Sequence, residues 1–331
     1  MNGGRRILVT GGAGFIGSNL VEALLARGDA VTVLDDFSTG RRENLAPFAG
    51  DPRFTLIEGD IRDLSCCRAA VSGMDYVLHE AARGSVPRSI DDPVGATSVN
   101  VCGFVNMLYA SHEAKVRRFV YASSSSVYGD SARMPKVESE CGKPLSPYAA
   151  TKQADELFAE NFRRVYGIEI VGLRYFNVFG RRQDPRGGYA AAIPKFASAL
   201  LRHERPVIYG DGTQSRDFTH VDNVVLANML ALEVPLPEHE AAVCNVACGA
   251  QLTLNELFGI LREELAAFDP ELRGIEPEYA PPRRGDVARS LASIDRAREM
   301  LGYAPRVGVR EGLKLTAKWY FENLSRAAAE V

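Results

Sequence analysis

Short apolar runs alternating with helical stretches fill the first half of the chain. Residues 6–9, 30–34, 54–57, 76–78 and 119–122 are brief apolar-rich runs that end in turn or polar residues, the mark of strands covered on both faces. Between them, 15–26 and about 97–115 carry helical spacing. The region after Pro147 reads as a helix to about residue 166, followed by a strand over 169–173. Such alternation predicts right-handed crossovers and a parallel sheet with helices on both sides, an α/β, Rossmann-type doubly wound fold. After residue 180 the texture changes: Arg181 to Gly188 is a polar loop, isolated helices and short strands follow, and Pro281 to Asp286 is a second loop. The expected organisation is a first domain over 1–180 and a smaller α/β region over 181–331, with some late segments returning to the first.

The 331 residues suit one large or two modest domains. With 46% hydrophobic and 24% charged residues and a formal net charge of −3, nothing points to nucleic acid or a membrane surface as partner. No apolar stretch approaches the roughly 18 residues of a membrane span. The run Ile7-Leu8-Val9 is too short for a signal-peptide core, and a cytoplasmic location is expected. Six cysteines (66, 67, 102, 141, 244 and 248) are scattered without a Cys-x-x-Cys pair. Cys244 and Cys248 fall in a run that reads as a strand, where four residues span about 13 Å, beyond disulfide reach. Reduced, mostly buried thiols are expected. The five histidines show no ligand spacing, and no metal site is expected.

Thr10-Gly11-Gly12-Ala13-Gly14-Phe15-Ile16-Gly17 follows the first predicted strand and opens the first predicted helix. Glycines there allow a tight turn and close approach to a pyrophosphate, and the helix N-terminus offers unpaired N–H groups and a positive dipole end. The spacing is Gly-x-x-Gly-x-x-Gly, and a merely tight strand-to-helix turn would share it. Asp35 ends the second strand, where a carboxylate can accept a ribose hydroxyl and would repel a 2′-phosphate, so the expected cofactor is NAD. Arg41 and Arg42 lie nearby and read as the start of a solvated helix.

Tyr148 and Lys152 stand one helical turn apart, with the cluster Ser124-Ser125-Ser126 upstream. At i and i+4 they share a helix face, and an ammonium beside a phenol favours its ionised form. A phenolate, its cation and a serine hydroxyl together can move a proton on an alcohol. The pattern alone equally fits a helix start carrying a half-buried Tyr and a surface Lys.

Taken in order, Gly11/Gly14/Gly17, the serine cluster and Tyr148/Lys152 resemble the extended short-chain dehydrogenase/reductase family. Within it the chain is similar over essentially its full length to the UDP-hexose 4-epimerases. The supporting segments are Asp60-Ile61-Arg62, Val77 to Ala82, Asn100, Arg174 to Gly180, Asp211-Gly212, Ser215 to Phe218 and Arg283-x-Gly285-Asp286. Among these enzymes it most resembles bacterial epimerases acting on UDP-N-acetylhexosamines, through Gly84 to Ser89 and Gly180 to Pro185. The resemblance implies cofactor contacts at Phe15, Ile16, Asp60, Ile61, Ala81, Ala82, Asn100 and Tyr175 besides the glycines, Asp35, Tyr148 and Lys152. It implies a UDP-sugar site at Gly84, Ser85, Ser125, Asn177, Ala191, Arg216, Arg283, Asp286 and Ser290, and a homodimer packed through helices near 98–115 and 148–166, where Leu108, Leu157 and Phe158 are apolar.

The implied chemistry is oxidation of the sugar at C4 with Tyr148 as base, Lys152 as its tuner and Ser124 bonded to O4, then return of the hydride to the other face. Arg216 and Arg283 suit two phosphate charges, although surface ion pairing would use the same residues. Small Ser290 matches the position that admits an N-acetyl group, so UDP-GlcNAc and UDP-GalNAc are the expected pair. A UDP-glucose epimerase would use the same machinery, and Arg88 or Arg186 could welcome a hexuronate. A dehydratase needs an acid–base carboxylate beside the catalytic Ser, which 124–126 does not offer. A noncatalytic NAD sensor usually loses the Tyr or Lys. Glu80 stands where an uncharged residue is expected, with Arg83 as its candidate partner.

Overall fold

The computed structural model describes residues 4–186, 190–236, 242–282 and 289–328. Strands β1 (Arg6–Thr10), β2 (Ala30–Asp35), β3 (Phe54–Glu58), β4 (Tyr76–His79), β5 (Arg118–Ser124), β6 (Glu169–Tyr175) and β7 (Val243–Val246) form one sheet. Its order is β7-β6-β5-β4-β1-β2-β3, and every neighbouring pair is parallel. The order turns back on itself between β1 and β4, and doubly wound folds open their ligand crevice at the strand carboxyl ends beside such a point.

Alternation along β1 shows why the sheet is covered twice. Ile7 and Val9 enter a core with Leu20 and Leu24 of α1 (Phe15–Arg27), while Leu8 enters the opposite one with Phe104 and Phe119. All three β1 residues have no exposed surface. The expected Rossmann-type architecture is therefore present. The strand runs begin and end close to their expected positions, with β5 and β6 each extended by two residues at the carboxyl end.

The expected single helix over 97–115 is broken in three. Pro93–Thr97 is α-helical, Ser98–Gly103 forms a π-helical segment, and α2 spans Phe104–Glu113. The wider turn sets Asn100 facing inward, where its Oδ1 accepts from the Arg83 amide (2.8 Å) and its Nδ2 donates to Thr151 (3.1 Å). Periodicity could not reveal this, because apolar spacing is retained on both sides of the insertion. Leu108, expected at a dimer face, is instead fully buried among Phe104, Phe119 and Phe162 in this chain's own core.

Helix α3 (Pro147–Tyr166) has Ser146 as N-cap, accepting from the Ala149 amide at 3.1 Å, and Pro147 in its first turn. Past Phe179 the chain divides. Helix α5 (Val221–Ala231) packs into the α1 core, and β7 extends the main sheet. Helices α4 (Ala192–Leu201), α6 (Leu254–Ala266) and α7 (Val309–Ala328) build a separate core around Phe196, Leu257, Leu261 and Leu313.

Three arginines couple the two parts. Arg181 and Arg182 reach Glu22 on α1 at 3.1 and 3.0 Å, and Arg41 pairs with Asp184. Arg41 thus does not begin a solvated helix; only a 3₁₀ turn, Arg42–Asn44, follows it. The thiols also differ from expectation. All six are free, but Cys102 and Cys141 are exposed and Cys66 and Cys248 half-buried, leaving Cys67 and Cys244 in the core. Cys102 sits in the π-helical segment and Cys141 in a loop.

Candidate active site

The carboxyl ends of six strands converge on one cleft of about 370 Å³. Its walls include Gly11, Gly14, Phe15, Ile16 and Gly17 after β1, Asp35 at the end of β2, Ile61 after β3, and Glu80, Ala81, Ala82 and Gly84 after β4. Ser124 at the end of β5, Tyr148 and Lys152 on α3, and Tyr175 and Asn177 at the end of β6 complete it.

The loop after β1 is shaped to receive a pyrophosphate. Gly11 adopts φ +66°, and a Cβ there would lie 2.7 Å from the Ala81 nitrogen. A Cβ on Gly17 would stand 2.2 Å from the Gly11 oxygen, so α1 starts directly against the turn. The N-cap of α1 is Gly14, which supplies no side-chain oxygen, and the first-turn amides are left to a ligand. Asp35 accepts from the amides of Ala13 (2.8 Å) and Phe37 (2.9 Å). Each carboxylate oxygen keeps a further lone pair for a ribose hydroxyl. These features fit a dinucleotide without a 2′-phosphate.

Tyr148 and Lys152 do share a face of α3 and both meet the cleft, whose lining also includes Ser124. The Tyr148 amide donates to Ser89 (3.0 Å), which ties the start of α3 to the segment after β4. Ser124 Oγ accepts from the Ser126 amide (3.1 Å), so its own proton stays available. Lys152 is only 2% exposed. Its ammonium donates to the Ala122 carbonyl (2.9 Å) and to Asp155 (3.1 Å). Burial opposes the charge, but Asp155, Tyr148 and Glu80 outweigh it and hold the lysine pKa above its usual value.

Asp155, with no exposed surface, is a member of the site that sequence reasoning missed. The available signal was a carboxylate three residues after Lys152, on the inward face of the same helix. Asp217, noted in sequence only as part of the Ser215 to Phe218 segment and given no role there, is fully buried and accepts from the amides of Cys248 (3.0 Å), Gly249 (3.1 Å) and Ala292 (3.3 Å). Asn177, at φ +37°, donates to the Asp217 carbonyl at 2.8 Å, joining this hub to β6.

The expected partner of Glu80 is corrected. Arg83 turns away to Asp92 (2.5 Å), and Glu80 accepts from the Tyr175 hydroxyl (2.8 Å). Burial pushes the Glu80 carboxyl up to about 7, against the pull of Tyr175 and Lys152. Neighbouring His79, bonded to Thr10 at 2.9 Å, is pushed down to about 3 by burial and by Lys152, and stays neutral.

Other sequence-predicted residues lie around this centre. Asn100 sits behind the wall, holding Arg83 and Thr151. Asp60 is paired to Arg62, which keeps its carboxyl below the usual range, outside the cleft wall. Ser85, at φ +138°, caps the short helix Val86–Asp91, and Ser125 opens the turn after β5. A second cleft of about 630 Å³ contains Ala191, Arg216 and Phe218, and shares Asn177 and Val178 with the first. Ser290 is half-buried, its amide donating to the Ser215 carbonyl (3.1 Å), and belongs to the described wall of neither cleft. Arg283 and Asp286 lie outside the described residues. Among the described residues, the one group with converging metal-type ligands is the surface trio His203, Asp269 and Glu271. No described helix is long and apolar enough to cross a membrane.

A glycine-lined dinucleotide cleft ending at Ser, Tyr and Lys defines a nicotinamide-dependent enzyme of the short-chain dehydrogenase type. The chain belongs to the NAD dependent epimerase/dehydratase family, whose model matches residues 7–247, and NAD is its cofactor. It is 39% identical over 328 residues to a UDP-glucose 4-epimerase of Mycolicibacterium smegmatis, covering 97% of this chain and 100% of that protein. Among solved structures, it is similar to a UDP-N-acetylglucosamine 4-epimerase from Methanobrevibacter ruminantium in complex with UDP-N-acetylmuramic acid. That match has TM-score 0.89 and 39% identity, over 96% of this chain and 99% of the other. A Thermus thermophilus UDP-glucose 4-epimerase in complex with NAD matches with TM-score 0.84 and 36% identity, over 96% and 99%.

Gly11→Ala tests the cradle. A side chain at φ +66° against the Ala81 backbone adds strain of about 1–3 kcal/mol, expected to weaken NAD binding about ten- to hundredfold by calorimetry. Unchanged affinity would refute this assignment of the loop.

Proposed function

We propose that the protein is an NAD-dependent 4-epimerase of UDP-sugars that interconverts UDP-GlcNAc and UDP-GalNAc. The observation carrying this reading is the meeting of Ser124, Tyr148 and Lys152 at one end of the dinucleotide cleft, where a second, larger cleft joins it at Asn177.

Bound NAD supplies reversible acceptance of the C4 hydride. Tyr148 takes the O4 proton as the C4–H bond breaks, and Ser124, with its own proton free, bonds the same oxygen. The Lys152 cation, held by Asp155 and Ala122, stabilises the phenolate electrostatically. The 4-keto sugar turns within the pocket, takes the hydride on its opposite face and recovers a proton from Tyr148. Atoms and electrons balance over the cycle, and no external reductant is consumed. The diphosphate fits the larger cleft, where Arg216 offers a guanidinium and the start of α4 at Ala191 offers backbone amides. Arg283 and Asp286 belong to the same proposed clamp through the sequence resemblance.

The N-acetylated pair is favoured by small residues at the positions that line the sugar in the resembling enzymes: Gly84 and Ala191, which line the two clefts here, and Ser85, Ser125 and Ser290, which lie outside their described walls. A glucose/galactose epimerase is the second reading, supported by the Mycolicibacterium and Thermus relatives. The domain roles follow: residues 1–180 hold NAD and 181–331 the UDP-sugar, although α5 and β7 lie with the first core. We also propose a homodimer formed by a second copy of this chain packing against α3, where Leu157 is 73% exposed and Phe158 38%.

Three measurements test these proposals. With UDP-GlcNAc and no added cofactor, Tyr148→Phe is expected to lower kcat by about 10²–10⁴-fold while NAD stays bound; normal turnover would sink the mechanism. Ser290→Tyr is expected to depress turnover of N-acetylated sugars about 10–200-fold relative to UDP-glucose, read from a substrate panel. Equal decline of both classes would reject the size argument. Leu157→Asp is expected to convert a dimer to a monomer by light scattering, and a monomeric parent protein would dispose of the dimer.

A further inference from the structure

Glu80 is the one carboxylate that reaches the cleft wall from β4, and the proposed epimerisation assigns it no step. Its backbone abuts the phosphate loop: a Cβ on Gly11 would lie 2.9 Å from the Glu80 carbonyl carbon. Its side chain points to the other end of the cleft, where it meets Tyr175 and feels the Lys152 charge.

The hydrogen bonds fix its polarity. Asn228 Nδ2 donates to the Val224 carbonyl (2.9 Å) and to the Tyr175 hydroxyl oxygen (2.8 Å). A carbonyl can only accept, so the amide orientation of Asn228 is determined. Tyr175 therefore accepts from Asn228 and has its single proton left for Glu80 Oε1, at 2.8 Å. The second oxygen of Glu80 has no hydrogen-bond partner among the described residues. A half-buried, oriented carboxylate is thus built into the cofactor wall, one oxygen held by Tyr175, which Asn228 holds in turn.

Oxidised nicotinamide is a cation and the reduced ring is neutral, so a fixed negative charge in this wall discriminates between them. We propose that Glu80 is a positioning residue that sets the redox balance of the bound cofactor, its carboxylate favouring the oxidised form and the Tyr175–Asn228 row holding that charge in place. The inference rests on NAD occupying the cleft and not on which sugar is turned over.

The charge carries a pH dependence of defined sign. Glu80 ionises through about 7, so it is neutral below and anionic above that value. The preference for oxidised NAD therefore strengthens as pH rises through that range. The other groups facing it are Lys152, held protonated beside Asp155, Tyr175, pushed well above the usual phenol range by burial, and neutral His79. Burial raises the Asp155 carboxyl to about 7 as well, a background titration common to parent and variants, so the assignment to Glu80 rests on the difference between them. Tyr148 also faces this end of the cleft and is common to parent and variants. Arg83 is occupied with Asp92.

The test is a mediator-coupled redox titration of the holoenzyme without sugar, reading bound reduced cofactor by its near-ultraviolet absorbance. Between about pH 6 and 8 the parent is expected to shift toward oxidised cofactor by about tenfold beyond free NAD. Glu80→Gln, which still accepts from Tyr175, is expected to lose that extra shift and to hold about tenfold more reduced cofactor at the upper pH. An unchanged ratio and slope in Glu80→Gln overturn the proposal. Tyr175→Phe removes the donor to the carboxylate and is expected to move the inflection to higher pH. If Glu80→Gln does not fold, this second variant decides, and an inflection that stays in place overturns the proposal. Because no sugar is present, failure of the epimerase reading leaves this outcome legible.

Discussion

A lysine almost wholly removed from water must keep its proton, and much of this structure serves that requirement. Isolated burial of an ammonium costs several kcal/mol, and removing its partner typically costs about 3–5 kcal/mol. Lys152 meets the constraint with three kinds of support: the Asp155 carboxylate on its own helix, the Ala122 carbonyl at the end of β5, and the longer-range field of Glu80 and Tyr148. The groups come from α3, β5 and β4, so the sheet must be in register before the charge is satisfied. The same register brings Ser124 into the cleft wall that Tyr148 lines. Folding the core and satisfying the buried cation are consequently one event.

The parts legible in the sequence were those encoded within a few residues. Gly11, Gly14 and Gly17 stand in one turn, Asp35 ends one strand, and Tyr148 and Lys152 occupy successive turns of one helix; each local pattern survived into the cleft wall. Six strands of the sheet were similarly visible because buried parallel strands read as unbroken apolar runs; β7 was read as a strand without a place in the sheet, and the edge strand β3 leaves Leu56 38% exposed instead of covered. What escaped depends on distant pairing. Tyr175 meets Glu80 across 95 positions, and Arg41 meets Asp184 across 143. A charged residue carries no mark of its partner, so Arg83 was the nearest plausible choice for Glu80 while folding supplied a phenol. The π-helical insertion was hidden for a different reason: one inward amide, Asn100, does not disturb the apolar rhythm that periodicity reads.

The two clefts obey different chemistry. The smaller is lined by backbone close approach and a few fixed charges, which suits a group that remains in place through each cycle. The larger is built on α4 and the strand carrying Arg216, elements of the second core. Asp217 braces the seam from beneath, its carboxylate gathering amides from segments more than thirty positions away. Its burial raises its own pKa to about 6, a cost accepted where several loops have to be pinned at one point.

Among the described residues, only Asn177 and Val178 belong to both cleft walls. This narrow overlap separates two kinds of heritable change. Substitutions in the larger cleft can alter its shape while leaving the glycine-lined wall intact, and a change at Glu80 can alter the charge of the smaller cleft without reshaping the larger. A scaffold divided in this way can diversify by altering one half at a time.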